Sequence, residues 1–118
     1  MTGRVFAAEE AKTGGLVRSV HAPEELLAAA RELAREIIEN TAPVSVALAR
    51  QMMWRMLGAS HPMEAHRVDS RGIQIRGRSN DVKEGVMSFL EKRPATFVDS
   101  VSSDLPDIFP GWTEPEFF

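Results

Sequence analysis

The chain contains no cysteine among its 118 residues, so disulfides, thiolate metal sites and cysteine nucleophiles are excluded. No apolar run approaches the roughly 20 residues that a membrane-spanning helix needs. No long apolar stretch follows the first basic residue, so no signal peptide is predicted. These absences predict a soluble, cytoplasmic protein without a membrane partner, and the lack of cysteine fits a reducing compartment.

The chain also lacks an excess of positive charge. Fourteen lysines and arginines stand against 17 aspartates and glutamates, which gives a formal net charge of −3. A general nucleic-acid binder usually carries a strong positive excess, so no nucleic-acid partner is expected. The chain also lacks a G-x-S-x-G nucleophile motif, a phosphate-binding loop and a dinucleotide-binding fingerprint. Its length allows one domain with a modest core.

Helical periodicity dominates what the sequence does contain. Apolar residues recur at three- and four-residue spacing, and proline, glycine and short polar residues mark the ends of these runs. The pattern predicts helices over 8–13, 23–39, 43–57, 62–76 and 81–92. At most a short strand, or a buried linker, is expected near 15–20. The predicted fold class is therefore mainly α.

Individual residues mark two helix starts and one weak point. Ser60 or His61 is expected to cap the fourth helix, and Ser79 or Asn80 the fifth. Gly72 lies in the middle of the fourth helix, where glycine costs roughly 1 kcal/mol relative to alanine. The sequence allows a kink or a close helix contact at that position.

The segment 98–118 differs from the rest because it combines several prolines and short polar residues with late aromatics. We expect an extended aromatic tail. Its large apolar side chains should pack on this chain or on a neighbour rather than remain solvated. They are Phe109, Trp112, Phe117 and Phe118.

Two further groups of polar residues invite a functional interpretation. His61, Glu64 and His66 have the spacing H-x-x-E-x-H, which matches neither common zinc-protease pattern. Capping and surface polarity explain them more simply, so no metal site is predicted.

Four arginines make the middle of the chain locally basic: Arg67, Arg71, Arg76 and Arg78. Arg67 and Arg71 share one face of the predicted helix. The group can meet phosphate or the acids of a neighbouring subunit. A solvated or subunit-facing surface is the simpler interpretation.

Two blocks of sequence, at 2–17 and 79–93, carry a family resemblance. The first reads T-G-R-x-F-x-A-E-E-A-x-x-x-G-L-V, and the second contains S-x-D, E-G-V and F-L-E-K-R in that order. Several motifs in order are far more specific than any one of them. Over about residues 2–97 the chain resembles the crotonase superfamily, which includes the enoyl-CoA hydratases and isomerases of fatty acid metabolism.

The resemblance implies an N-terminal ββα spiral core followed by a C-terminal helical region that mediates trimer formation. On this comparison 1–20 is the end of the spiral core, 21–97 the helical assembly domain and 98–118 the aromatic tail. The family's oxyanion hole and its two catalytic glutamates lie upstream, so no catalytic residue is expected here. Glu9 and Glu10 are instead interpreted as acids at a helix start, where the dipole favours negative charge.

The resemblance also implies one ligand contact. In similar hydratases an aromatic residue and a lysine of the last helix contact the adenine end of CoA, which is held mainly by a neighbouring subunit. These positions correspond to Phe89 and Lys92. The alternative is that Phe89 belongs to the core and Lys92 is merely solvated. Acyl-CoA is expected to bind weakly, and no covalently bound cofactor is expected.

Three functional hypotheses follow. The first is a C-terminal assembly and CoA-contacting region that is inactive alone and associates with itself as a dimer, trimer or hexamer. Helices that normally cover a spiral core would leave large apolar faces here, and the tail at 109–118 could serve as an exchanged arm. The second is the docking half of a split enzyme whose spiral core is a separate chain. The third is an independent helical protein-interaction module.

Overall fold

The computed structural model describes residues 3–114 and 116, and the regular structure in this part of the chain is helical. The helices are α1 (Ala8–Thr13), α2 (Pro23–Asn40), α3 (Pro43–Met56), α4 (Pro62–Arg76), α5 (Asn80–Glu91) and α6 (Val101–Asp104). The mainly α prediction is confirmed, and the ends of α1 to α5 agree with the predicted ends to within one residue. The described residues contain no strand. Turns and bends occupy 14–18, where the sequence allowed at most a short strand.

The chain divides into two compact units, Met1–Glu39 and Asn40–Phe118. In the first unit α1 ends at Gly14, and Gly15 follows with a φ of +75°. Glycine adopts this left-handed conformation without the steric cost of a side chain. The turn brings the Leu16 amide to the Ala11 carbonyl at 2.9 Å. This hydrogen bond closes the turn that ends α1.

α2 is amphipathic, but none of its described residues is buried. Glu24 and Glu25 lie in its first turn, where they complement the positive end of the helix dipole. Its large apolar side chains, including Leu27 and Ile38, are exposed. The expectation that apolar helix faces remain uncovered in this chain is met here.

The core of the second unit forms where α3 and α4 meet the tail. The buried cluster contains Val44 and Leu48 from α3, Val68 from α4, and Ile108 and Phe109 from the tail. Two methionines and Leu105 pack around it. Of the four tail aromatics predicted to pack, Phe109 therefore packs on its own chain. Phe117 and Phe118 lie outside the described residues.

The tail is not extended throughout. Ser100 precedes α6, and its hydroxyl accepts a hydrogen bond from the Ser102 amide at 3.3 Å. The Asp104 carboxylate in turn accepts from the Ser100 amide at 2.8 Å, which lowers the pKa of that carboxyl. These local bonds satisfy backbone donors at the helix start. They explain why one helical turn forms within a polar segment.

Gly72 is buried in α4, which continues through it to Arg76. A Cβ atom at Gly72 would lie 3.5 Å from the Cδ1 atom of Ile108. The close helix contact that the sequence allowed does not form at this point, because the neighbour of Gly72 is the Ile108 side chain of the tail.

Candidate functional site

The candidate site lies along α5 in the second unit. The helix begins after Ser79, whose hydroxyl accepts a hydrogen bond from the Val82 amide at 3.2 Å. Val82, Val86, Phe89 and Leu90 recur at helical spacing along α5, and all four side chains are exposed. Phe89 is 82% exposed. In this chain Phe89 is therefore not a core residue.

An open groove of about 650 Å³ runs beside this face of α5. Ile73 of α4 and the α5 residues Val86, Phe89 and Leu90 are among its lining residues. A groove of this volume and composition falls in the range of ligand and partner sites, which are mostly apolar with a few polar groups. The exposed apolar face of α5 therefore forms one wall of a groove of ligand-binding size.

Lys92 ends α5 in an unusual conformation. Its φ is +54°, in the left-handed region that favours glycine at helix ends. The Lys92 amide donates to the Phe89 carbonyl at 3.3 Å, and the Arg93 amide donates to the Ser88 carbonyl at 3.0 Å. These two bonds close the helix end. They hold the exposed Phe89 and Lys92 on the same final turn.

A charged clamp holds the segment that follows this turn. The Arg93 guanidinium donates to both carboxylate oxygens of Glu84, at 2.6 and 2.9 Å, and to Glu91 at 2.6 Å. The Thr96 amide also donates to the Glu84 carboxylate, at 2.7 Å. Bidentate pairing of this kind fixes orientation as well as contributing energy. The clamp therefore supports the position of the helix end that carries Lys92.

The clamp predicts a pH dependence of stability. Hydrogen bonds from Arg93 and Thr96 lower the pKa of Glu84 from 4.5 to about 2. A lowered folded-state pKa stabilises the fold above the unfolded-state pKa, and this contribution is lost as the pH falls through the folded-state value. We expect the free energy of unfolding, measured by urea denaturation, to fall between about pH 4.5 and about pH 2. Glu84→Gln should lower stability at neutral pH and reduce this slope.

The exposed Glu39 is the matched control, because Glu39→Gln should leave the slope of the unmodified chain in place. A Glu84→Gln profile parallel to that of the unmodified chain would contradict the prediction. Some acid sensitivity should persist in Glu84→Gln, because the guanidinium of Arg76 also lowers the pKa of Asp99.

A buried acid cluster lies at the other end of α5. Asp81 and Asp99 are both buried, and the guanidinium of Arg76 lies 3.3 Å from the first carboxylate and 2.7 Å from the second. The Asp81 carboxylate also accepts from the amides of Val98 and Asp99, at 2.8 and 3.0 Å. The cluster therefore fastens the segment after α5 to the start of that helix.

Sequence reasoning missed this cluster. The sequence pattern places Arg76 in a basic group and gives no reason to connect it with Asp81 or Asp99. Asp81 and Asp99 are 18 positions apart, and no helical or strand periodicity links residues at that distance. The sequence offers only two aspartates, Asp81 and Asp99, on either side of Pro94, which ends the helix. This signal is too weak to identify a contact.

Three of the polar residues singled out from the sequence, His61, Glu64 and Glu10, make local structural contacts. The His61 ring accepts from the Met63 amide at 3.0 Å, so His61 is the cap of α4. Glu64 accepts from the Ser60 hydroxyl at 2.6 Å. Among the described residues, no three histidine, cysteine, aspartate or glutamate side chains come together as a metal site. In the first unit Glu10 pairs with Arg4, which lowers the pKa of Glu10.

The four arginines do not form one basic patch. Arg76 is paired within the acid cluster, whereas Arg67 and Arg71 line a separate pocket together with Trp112. Arg78 lies in the turn after α4 and is exposed. Spacing along a helix placed Arg67 and Arg71 on one face correctly, but it could not show that Arg76 points to buried acids.

The helices of the described part of the chain include none with the length and apolarity to cross a membrane.

Comparison with known proteins supports the resemblance seen in the sequence. An enoyl-CoA hydratase of Alternaria alternata is 38% identical over 101 residues, covering 85% of this chain and 33% of that protein. A carnitinyl-CoA dehydratase of Salmonella arizonae is 39% identical over 98 residues, covering 79% of this chain and 36% of that protein. The chain thus spans about a third of the length of the curated relatives it matches. The family model described as enoyl-CoA hydratase/isomerase matches residues 1–100, and the chain belongs to this family within the crotonase superfamily.

Proposed function

We propose that this chain is the C-terminal helical assembly and CoA-contacting region of an enoyl-CoA hydratase/isomerase-like enzyme. In this proposal 1–20 ends the spiral core, 21–97 forms the helical assembly domain and 98–118 is the tail. The family match over residues 1–100 supports the enzyme family named in this proposal. The observation that carries the CoA contact is the exposed Phe89, which lines the apolar groove and lies on the last turn of α5, which Lys92 ends.

The chemistry of these two residues suits the nucleotide end of CoA. An exposed phenylalanine ring offers a flat surface on which adenine stacks, and an ammonium group attracts phosphate. The two hydrogen bonds at the end of α5 and the Glu84–Arg93 clamp hold both residues before any ligand arrives. A preorganised contact loses less conformational entropy on binding.

The catalytic step is assigned to residues upstream of this region. The family's oxyanion hole would polarise the thioester carbonyl, and its two glutamates would activate water and deliver a proton. The pairing of Glu10 with Arg4 supports a structural role for that glutamate. We therefore propose that the chain alone does not hydrate enoyl-CoA. The whole enzyme would act in the cytoplasm on fatty acyl thioesters.

CoA binding tests the site directly. Free CoA should raise the melting temperature of the chain as its concentration increases, because a ligand that binds only the folded state stabilises it by mass action. Lys92→Ala and Phe89→Ala should each abolish most of this shift, as measured by differential scanning fluorimetry. Loss of one charge-assisted hydrogen bond corresponds to about a tenfold loss of affinity.

Two further variants separate binding from folding. Lys92→Gly should lose the CoA shift while raising stability by about 0.5–1 kcal/mol, because glycine adopts the left-handed conformation without strain. Lys83→Ala removes an exposed lysine from the same helix and should keep the full shift. An equal CoA shift in Lys92→Ala and Lys83→Ala would refute the contact.

Self-association tests the assembly role. The uncovered apolar faces of α2 and α5 support association into a dimer, trimer or hexamer, since large exposed apolar patches mark interfaces. Light scattering should give a solution mass that is a whole multiple of 13.1 kDa. Leu90→Glu places a charge on the exposed face of α5 and should shift the population toward monomer. A folded monomer at every concentration would contradict the proposal.

The same apolar faces support a second candidate, in which a separate spiral-core chain docks here and completes a split enzyme. Co-purification of a core-like partner that restores hydratase activity would favour it. An independent interaction module differs from both proposals because it predicts no stabilisation by CoA at any concentration.

A further inference from the structure

A second concave site lies where the tail crosses α4, and it shares no lining residue with the groove beside α5. Its volume is about 310 Å³, at the lower end of the range for small-molecule sites. Arg67 and Arg71 of α4 line it together with Trp112 of the tail. The proposed CoA contact uses none of these residues.

The indole of Trp112 is held in place and yet accessible. The Trp112 amide donates to the Phe109 carbonyl at 3.0 Å, and Gly111 between them has a φ of +79°. The guanidinium of Arg55 lies 4.5 Å from the ring centre of Phe109 and 5.3 Å from that of Trp112. Phe109 is buried in the core, whereas Trp112 is 39% exposed. The turn therefore presents part of a fixed indole to solvent.

Arg67 and Arg71 supply positive charge to this pocket. They lie one helical turn apart, which places them within reach of the same ligand group. Within the part of the chain that the structure describes, neither makes an ion pair or a hydrogen bond, whereas Arg76 and Arg93 are tied to carboxylates. Glu64 also lines the pocket and brings one negative charge, so the two arginines leave the lining with a net positive charge.

We propose that this pocket binds a nucleoside phosphate, with the base against Trp112 and the phosphate between Arg67 and Arg71. A planar guanidinium matches phosphate oxygens in a bidentate arrangement. An aromatic side chain stacks on any base, because every base has a π face. An anion without a ring would leave the indole unused, and a ring without charge would leave both arginines unpaired.

Tryptophan fluorescence provides the test, because the chain contains two tryptophans, Trp54 and Trp112. In the Trp54→Phe background Trp112 is the sole reporter. Titration with adenosine 5′-diphosphate should change its emission in a saturable manner. The double variant Arg67→Gln/Arg71→Gln should weaken this binding by about tenfold or more, and adenosine without phosphate should bind comparably weakly.

The control is Arg50→Gln/Arg78→Gln, which makes the same change in net charge at exposed arginines that do not line this pocket. It should keep the affinity of the Trp54→Phe chain. Equal weakening by the two double variants, equal binding of adenosine and its diphosphate, or no saturable change would each overturn the proposal. Phe89→Ala should leave this titration unchanged, so failure here is distinguishable from failure of the CoA contact. Far-UV circular dichroism verifies that each variant is folded.

Discussion

Ile108→Ala is expected to lower the free energy of unfolding by about 2–5 kcal/mol, the usual cost of removing a buried aliphatic side chain. Ile108 is 0% exposed and lies in the core of the second unit between α3 and α4. Its Cδ1 atom faces Gly72, which has no side chain that could fill the space left by alanine. The loss of stability should therefore include both the transfer free energy of the removed atoms and the cost of the cavity that they leave.

The expected loss is large because the core is small. Domains of this size have total stabilities of about 5–15 kcal/mol, and the buried cluster has only a few members. Urea denaturation followed by circular dichroism measures the change. Ile73→Ala is the matched control, because Ile73 is exposed on α4 and its truncation should change stability by about 0.5 kcal/mol or less.

If Ile108→Ala and Ile73→Ala have equal effects, the tail is not part of the core in solution. The measurement therefore decides whether Ile108 is buried in solution as well as how much it contributes.

Asp81→Ala is expected to lower the free energy of unfolding by about 2–4 kcal/mol. Asp81 is 3% exposed, and its carboxylate accepts hydrogen bonds from the amides of Val98 and Asp99. Alanine would leave these two donors without an acceptor in a largely buried setting. An unsatisfied buried donor costs about 1–3 kcal/mol, which is more than a hydrogen bond contributes when it is made.

Asp81→Asn separates hydrogen bonding from charge. The amide oxygen of asparagine can accept from both backbone amides, while the negative charge beside Arg76 is removed. Because Asp99 still pairs with Arg76 at 2.7 Å, we expect Asp81→Asn to cost much less than Asp81→Ala. Equal losses in the two variants would show that charge, rather than backbone hydrogen bonding, is the main contribution of Asp81.

The Asp81 predictions bear on the proposed function through the end of α5. The cluster around Asp81 fastens the segment after α5 to the start of the helix, and the Glu84–Arg93 clamp fastens the same segment to the helix three residues further along. Phe89 and Lys92 lie on the final turn, which leads into that segment. A loss of CoA binding in Asp81→Ala would therefore reflect a displaced helix end, and Asp81→Asn provides the comparison.

Local chemistry explains why the helices were predictable. Proline at the start of α2, α3 and α4 suits a first turn in which the missing amide is not needed. Glycine after α1 and His61 before α4 act through contacts with residues at most five positions away. Periodic apolar residues add a signal that is visible along the chain. The family motifs likewise occur in order along the sequence.

The sequence by itself determined the helical fold class, the boundaries of α1 to α5 and the family, because each rests on order and spacing along the chain. Only the tertiary structure decided which side chains are covered. It left Phe89 exposed, buried Ile108 against Gly72, tied Arg76 to Asp81 and Asp99, and left Arg67 and Arg71 beside Trp112. Burial and long-range ion pairs depend on the packing of distant segments, and a periodic pattern specifies a helix face without specifying what lies against it.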